Sequence, residues 1–377
     1  MQYSKWLNRL IAPAMLTACT WGLASCDQRT ATRPSDKEPS GKEAAQQLPE
    51  GDALRQLLDE TLDESYTRRL NLQDHAAWQI LHGVLAFGRE FRIEAEGGKQ
   101  VFAVDYLLQG GKMKGWTMEP GDHGLRAVVE AGTKTGQGHQ DQWLALLAQC
   151  GLKPDEKLVV GGRTYTMSEY VSQVQWDLPR NVMREYSWTL VGLTTYLPTS
   201  AKWKAMDGQE WSIERLMEIE LDQEITTSAC GGTHRLMGMA VSLNRHLSQG
   251  GRLEGVWAKA DERIRSSIAL TQRLQNPDGT FSTRFFDSRP GTSADLAQNL
   301  TATGHILEFV MLASSDEEAK APWIKRAAVA LCDILHTTRD LPLECGAVYH
   351  ATHALVLYRE RTFGSRTFAK PPSPQAE

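Results

Sequence analysis

Six positions of the chain share a residue type that could do chemistry, a His or Trp that opens a short apolar run. They are His82, Trp143, Trp188, His234, His305 and His353. Imidazoles suit acid–base work and polar ligand binding, and indoles suit stacking on sugars. The six residues predict a shared cavity lined by four imidazoles and two indoles. The alternative is that they pack between helices and fix register, because residues of intermediate polarity are often buried for structural reasons.

Carboxylates stand close to these positions along the sequence. They are Asp141, Glu185, Glu308 and Glu344. A pair of carboxylates across a cavity would serve glycoside hydrolysis, which needs one acid and one base or nucleophile. The alternative for Asp141 and Glu185 is helix capping, since acids in a first turn favour the helix dipole. The candidates for acid–base catalysis are Asp141, Glu185, His139 and His234.

Two segments also contain the residue types of a zinc site. Cys230-Gly-Gly-Thr-His234 and Cys345-Gly-Ala-Val-Tyr-His350 together offer two thiolates and two imidazoles. In a ring of six helix pairs these segments would belong to units four and six, whose inner helices stand about 17 Å apart. A zinc–sulfur bond is only ~2.3 Å long. We therefore predict no metal or other cofactor, with Cys230, His234, Cys345 and His350 as weak candidates, and the same separation argues against a Cys230–Cys345 disulfide.

The six His and Trp positions recur along the chain with gaps of 45 to 71 residues. Periods of this size usually mark one supersecondary unit that is used repeatedly. The clearest match relates residues 165–167 to 211–213 and residues 187–192 to 233–238. In each unit a charged amphipathic helix precedes a more apolar helix, which indicates an outer and an inner helix. The sequence thus predicts an all-α fold, an α/α toroid of about six helical hairpins, with an open solenoid as the competing geometry.

Small β-hairpins are predicted within the early units. Gly97-Gly98 and Gly161-Gly162 each separate two short runs rich in β-branched and apolar residues, which is typical of hairpins. We expect these insertions at the rim of the helical domain.

One further motif resembles a known family. The segment Gln275-Asn-Pro-Asp-Gly-Thr-Phe281 is similar to the QxxDGxW/F element of squalene-cyclase and prenyltransferase-type toroids. The resemblance implies an α/α barrel with a central cavity. Residues 75–362 also resemble exported bacterial lipoproteins of this α/α-toroid type, a resemblance that implies no particular activity. The chain has no Asp-x-Asp-Asp, GxSxG or HExxH motif and no Gly-rich phosphate loop.

The N-terminus has the layout of a secretory signal peptide. Lys5 and Arg9 precede an apolar stretch that ends in Leu23-Ala-Ser-Cys26. This ending resembles a lipobox, which implies that Cys26 is lipidated and tethers the chain to a membrane. The alternatives are a plain membrane anchor and an ordinary cleaved signal peptide. The predicted domains are residues 1–26 as signal peptide, 27–50 as a disordered linker, 51–365 as the toroid and 366–377 as a disordered tail. Export permits disulfides, and buried free thiols are the alternative for the four later cysteines.

The net charge of the chain narrows the range of functions that we expect. The 377-residue chain has a net charge of −5 and a pI near 6.1, which argues against a nucleic-acid partner. We predict a membrane-tethered lipoprotein of the cell envelope whose cavity binds a small-molecule or glycan ligand, as a carbohydrate-active hydrolase or lyase if it is an enzyme. The alternatives are a non-catalytic envelope scaffold or interaction protein, and a terpenoid-cyclase- or prenyltransferase-like enzyme that lacks the usual acid motif.

Overall fold

A computed structural model describes residues 48–368 of the protein. The signal peptide, the lipobox at Cys26, nearly all of the linker and most of the C-terminal tail fall outside the described residues, and their assignments stay predictions. The described part is mostly helical with a few small strand pairs, which confirms the helical fold class. Between residues 48 and 368 no helix combines the length and apolar character needed to cross a bilayer.

Twelve α-helices make up about half of the described chain. They are α1 (Gly51–Thr67), α2 (Ala77–Phe87), α3 (Ala103–Leu108), α4 (Gln142–Gln149), α5 (Met167–Asp177), α6 (Ser187–Tyr196), α7 (Ile213–Leu221), α8 (Thr233–Ser248), α9 (Gly255–Arg273), α10 (Leu296–Ala313), α11 (Pro322–Thr337) and α12 (Cys345–Phe363).

Two kinds of helix alternate along the chain. Helices α2, α4, α6, α8, α10 and α12 are buried on nearly all sides, whereas the helices between them bury one face. Each of the six buried helices packs against the next one in this order, and α12 also packs against α2. In α7 the apolar residues Ile213, Leu216 and Met217 are buried while Glu214 and Glu218 face solvent, as the amphipathic pattern predicts.

Local sequence signals explain several helix starts. Thr166 accepts a hydrogen bond from the Glu169 backbone N–H, and the Glu169 carboxylate accepts one from the Thr166 N–H at 2.7 Å, so the two residues form a capping box. Ser212 caps α7 in the same way through the Arg215 N–H. Helix α7 therefore begins at Ile213.

Nine short strands form small sheets beside the helices. They are β1 (Leu70–Asn71), β2 (Arg92–Glu94), β3 (Gln100–Phe102), β4 (Trp116–Gly121), β5 (Gly124–Val129), β6 (Lys157–Val160), β7 (Arg163–Thr166), β8 (Lys202–Lys204) and β9 (Glu210–Ser212). The antiparallel pairs β2–β3 and β6–β7 confirm the two predicted hairpins. The pairs β4–β5 and β8–β9 were not predicted.

The Gln275–Phe281 motif has a structural role. The Gln275 amide donates hydrogen bonds to the backbone carbonyls of Gly279, at 2.9 Å, and Trp323, at 2.8 Å. The Asp278 carboxylate accepts from the Thr280 backbone N–H at 2.9 Å. The motif therefore joins the loop after α9 to the first turn of α11 and contributes no side chain to the site described below.

Glycines bring the buried helices unusually close together. A Cβ atom built on Gly304 of α10 would lie 2.8 Å from the backbone N and Cα of Ala351 in α12. A Cβ atom on Gly238 of α8 would likewise lie 2.8 Å from the Cα of Ser187 in α6. Because the obstacles are backbone atoms, no side-chain rotation could make room. These two glycines let neighbouring helices touch backbone to backbone.

The closeness of α10 and α12 predicts a stability effect. Gly304→Ala should lower the free energy of unfolding by about 1–3 kcal/mol, since the added methyl forces the two helices apart. The matched control is Ala269→Ser on the exposed face of α9, for which a change within about 0.5 kcal/mol is expected. Urea unfolding measures both variants. A Gly304→Ala protein as stable as the control would contradict the close packing.

Candidate functional site

Three imidazoles from three different helices meet in the interior. They belong to His234 of α8, His305 of α10 and His350 of α12, and all three side chains are buried. The ring centroids of His305 and His350 lie 3.9 Å apart, and that of His234 lies 5.6 Å and 5.3 Å from them. Each ring offers one nitrogen, and these three atoms all lie within 4.8 Å of one another. We call these residues the triple-histidine cluster.

A buried carboxylate orients one member of the cluster. Glu308 of α10 accepts a hydrogen bond from His350 Nδ1 at 2.5 Å and another from His353 Nδ1 at 2.5 Å. His350 and His353 are three residues apart in α12, so both rings face α10. A carboxylate oxygen can only accept, and the proton of His350 therefore lies on Nδ1. Its Nε2 keeps a lone pair, is buried, and has no hydrogen-bond partner among the described residues.

Backbone carbonyls fix the rings of His305 and His82 in the same tautomer. His305 Nδ1 donates to the carbonyl of Thr301 at 2.8 Å, one turn earlier in α10. His82 of α2 flanks the cluster, with its ring centroid 5.1 Å from that of His350, and its Nδ1 donates to the Trp78 carbonyl at 2.6 Å. Carbonyl oxygens have no proton to give, so Nε2 of both rings also keeps a lone pair.

Burial keeps these imidazoles uncharged. Removal from water lowers the pKa of His82 and of His305 to about 4. The same cause, with the neighbouring imidazoles adding to it, lowers the pKa of His234 and of His350 well below the ordinary value. At neutral pH each ring is therefore the neutral species, which is the form that binds transition metals.

His234 is the only cluster member whose ring is held by no hydrogen bond within the described part of the chain. Both of its nitrogens are buried and unpartnered. Its ring lies 5.1 Å from the indole of Trp188 and 4.7 Å from the imidazole of His139, centroid to centroid. A buried polar atom without a partner destabilises the fold by about 1–3 kcal/mol. The buried nitrogens of His234 therefore destabilise the protein unless a ligand binds them.

A second group of polar side chains adjoins His234 where the site is partly exposed. His139, which precedes α4, pairs through Nδ1 with the Glu185 carboxylate at 2.9 Å. Cys230 lies just before α8, and ligand atoms of His139, Cys230 and His234 are within 4.8 Å of one another. Burial raises the pKa of the Cys230 thiol to about 12, with nearby carboxylates adding to it, so the thiol is protonated without a metal.

The loop before α8 shapes this second group. Cys230, Gly231 and Gly232 have φ angles of 50°, 63° and 82°, all in the left-handed region. A Cβ on Gly231 would collide with the Phe285 ring, and one on Gly232 with the Ile225 carbonyl. The two glycines thus allow the tight turn into α8, which places Cys230 beside His234.

Glu185 and Asp141 play no capping role. Burial opposes ionisation of Glu185, but its hydrogen bond and charge interaction with His139, together with Arg235, hold its pKa below the ordinary value. Asp141 stands at the N-cap of α4 with a φ of 60°, yet it accepts from the Thr189 hydroxyl at 2.6 Å instead of capping. Burial raises the pKa of Asp141 to about 6.

The cavity beside the cluster is very small. Its volume is about 10 Å³, and it is lined by His234, Glu308, Trp188 and apolar side chains. A space of this size holds at most one water molecule. Trp143 is packed in the hydrophobic core. Of the other predicted cavity positions, His234 and His305 belong to the triple-histidine cluster, and Trp188 contacts His234. His82 contacts His350 of the cluster, and His353 is connected to it through Glu308.

The predicted separation of the two zinc-type segments is wrong for His234 and His350. His234 and His350 are in contact rather than about 17 Å apart, and Cys230 lies beside His234. Close helix packing at Gly238 and Gly304 and the inward reach of the side chains explain the difference. Cys345 belongs to neither group of potential ligands, and the four cysteines after residue 48 are all free thiols.

Comparison with known proteins found no protein similar to this chain. No family model, no curated protein and no solved structure matches the chain.

The bridging carboxylate generates a testable prediction. In Glu308→Gln the amide oxygen can accept from one imidazole, while the amide NH₂ faces the N–H of the other. We expect the metal-free protein to lose about 1–3 kcal/mol of unfolding free energy, because one buried donor is left unsatisfied.

The matched control for this prediction is Glu262→Gln, an exposed position of α9. Its effect should stay within about 0.5 kcal/mol. Nitrogen-15 NMR of the wild type should also show His350 and His353 as Nδ1–H tautomers. Nε2–H tautomers, or a Glu308→Gln protein as stable as the control, would contradict the described network.

Proposed function

We propose that the protein is a metalloprotein in which His234, His305 and His350 bind one divalent transition-metal ion. The observation that supports this most strongly is the convergence of three buried imidazole nitrogens within 4.8 Å. Two of the rings already donate their Nδ1 protons elsewhere, to Glu308 and to the Thr301 carbonyl. Carboxylates and carbonyls in this position are the usual outer partners of metal-bound histidines.

We also propose that the six buried helices form the predicted toroid around this centre. The cyclic order of helix contacts, from α2 through α12 and back to α2, supports closure over an open solenoid. In an open solenoid the first and last helices would not pack against each other. The ligands then come from three consecutive inner helices, α8, α10 and α12.

The chemistry of the ligands favours a metal over a plain buried core. Core histidines normally satisfy their polar atoms, whereas the Nε2 of His350 and both nitrogens of His234 have no partner among the described residues. Tetrahedral ligands at 2.0–2.1 Å from a zinc ion stand about 3.3 Å apart. Small side-chain rotations would bring the three nitrogens to that spacing. Imidazole ligands suit zinc, copper, iron and nickel, and exclude the hard cations calcium and magnesium.

Three protein ligands favour a reactive centre rather than a structural one. Structural zinc sites normally have four protein ligands, whereas catalytic sites keep one position for water. The cavity of about 10 Å³ beside His234 and Glu308 has room for such a water. His139 and Glu185, at the partly exposed side, are placed to exchange protons. We therefore propose metal-assisted hydrolysis or hydration of a small substrate as the reaction class.

The predicted glycan-directed hydrolase or lyase activity stays a prediction. Its candidate residues His139 and Glu185 form a hydrogen bond with each other, and burial raises the pKa of Asp141 to about 6. The cavity beside His234 is too small for a sugar ring. A glycan could reach only the partly exposed side of the site, at His139 and Glu185. For this reason we favour the metal centre.

Metal binding is directly testable. Purified protein incubated with zinc and passed through gel filtration should retain the ion stoichiometrically. It should also gain about 2.7 kcal/mol of unfolding free energy when free zinc is a hundredfold above the dissociation constant. His305→Ala should lose both the retained ion and the stabilisation.

The control is His336→Ala, which removes an exposed imidazole of α11 that contacts Glu64 and Arg339 at the surface. It should retain zinc and be stabilised like the wild type, since surface pairs contribute little. Elemental analysis and thermal unfolding give the two measurements. A wild type that retains no zinc, or a His305→Ala protein that retains as much, would overturn the proposal.

A further inference from the structure

His234 belongs to two groups of potential ligands at once. One is the triple-histidine cluster, and the other consists of His139, Cys230 and His234. We propose that His234 bridges two metal ions through its two ring nitrogens, one ion in each group. This inference rests on the proposed function, because the cluster must bind the first ion.

Within residues 48–368 no group makes a hydrogen bond to the His234 ring. The rings of His82, His305 and His350 each commit Nδ1 to a carbonyl or a carboxylate, which leaves one nitrogen for a metal. His234 commits neither nitrogen, and both are buried. An imidazole serving a single metal ion would normally be oriented through its other nitrogen. A bridging imidazole needs both nitrogens free.

The second group has its own outer partner. The Glu185 carboxylate accepts the Nδ1 proton of His139 at 2.9 Å, which leaves His139 Nε2 with its lone pair. The ring of His139 lies 4.7 Å from that of His234, edge to face. The arrangement repeats the relation of Glu308 to His350.

The two positions differ in ligand chemistry. The cluster offers imidazoles alone, whereas the second group adds the sulfur of Cys230, which favours softer ions such as zinc and cobalt(II) over hard ones. Cys230 would bind as a thiolate, and a bridging His234 as an imidazolate. The second ion must therefore displace the S–H proton and the remaining N–H proton, and both pass to solvent. The first ion binds neutral imidazoles and displaces neither.

Cobalt(II) titration of the wild-type protein tests the proposal. Two ions should bind, and only one of them should produce the near-ultraviolet charge-transfer band of a cobalt–thiolate bond. Calorimetry in buffers of different ionisation enthalpy should show about two protons released with the thiolate-bound ion. The electron paramagnetic resonance signal per cobalt should fall when the second ion binds, since an imidazolate bridge couples the two spins.

Variants assign the two positions. Cys230→Ser should bind one cobalt ion without the charge-transfer band, and His350→Ala should bind one ion with it. The matched control is Cys345→Ser, whose thiol has similar partial burial but lies outside both groups. It should bind two ions with the band.

The outcomes separate this inference from the proposed function. One cobalt ion without a thiolate band, unchanged in Cys230→Ser, would leave the cluster intact and overturn the bridge. Two ions whose spins remain uncoupled would also overturn the bridge. Failure of the wild type to bind any cobalt would overturn the proposed function together with this inference.

Discussion

The interaction on which the site depends is the Glu308 carboxylate held between His350 and His353. A buried carboxylate costs several kcal/mol unless hydrogen bonds replace its hydration. Here two imidazole N–H groups at 2.5 Å provide them. The two hydrogen bonds hold the Glu308 side chain of α10 against α12 and set the tautomer of His350. Removing either partner would leave a buried charge or a buried donor unsatisfied.

This pairing requires close helices, and glycine provides the closeness. Gly304 lies one residue before His305 in α10 and touches the backbone of Ala351, which follows His350 in α12. The contact between the two helices and the cluster therefore lie at the same level. Gly238 plays the same part between α8 and α6, four residues after His234. Small residues at helix contacts thus determine how far the imidazoles reach.

Local patterns in the sequence predicted the helices and two hairpins well. The Thr166–Glu169 capping box and the paired glycines at 97–98 and 161–162 depend on neighbouring residues, so the chain itself reveals them. The site depends on contacts between distant helices. The separation predicted for His234 and His350 considered helix axes alone and ignored glycine contacts. One available signal was overlooked: His350 and His353 lie on one helix face, a spacing that suits a shared carboxylate.

The roles of Glu308 and His350 also could not be read from sequence neighbourhood. Glu308 stands three residues after His305 along the chain, yet it binds two histidines of α12. His350 was only a weak metal candidate because the inner helices of units four and six were expected to stand about 17 Å apart. In three dimensions His350 enters the cluster, and His353 supports it through Glu308. The repeat therefore predicted that histidines of α8, α10 and α12 lie close together. It did not predict that His350, rather than His353, is the histidine of α12 in the cluster.

Anomalous X-ray diffraction from crystals grown with zinc tests the central claim most directly. Data collected on both sides of the zinc absorption edge locate the ion without assumptions about its ligands. The account predicts a peak between His234, His305 and His350, at about 2.0–2.1 Å from one nitrogen of each ring. Zinc only at exposed side chains such as His336, or no zinc peak at all, would contradict it.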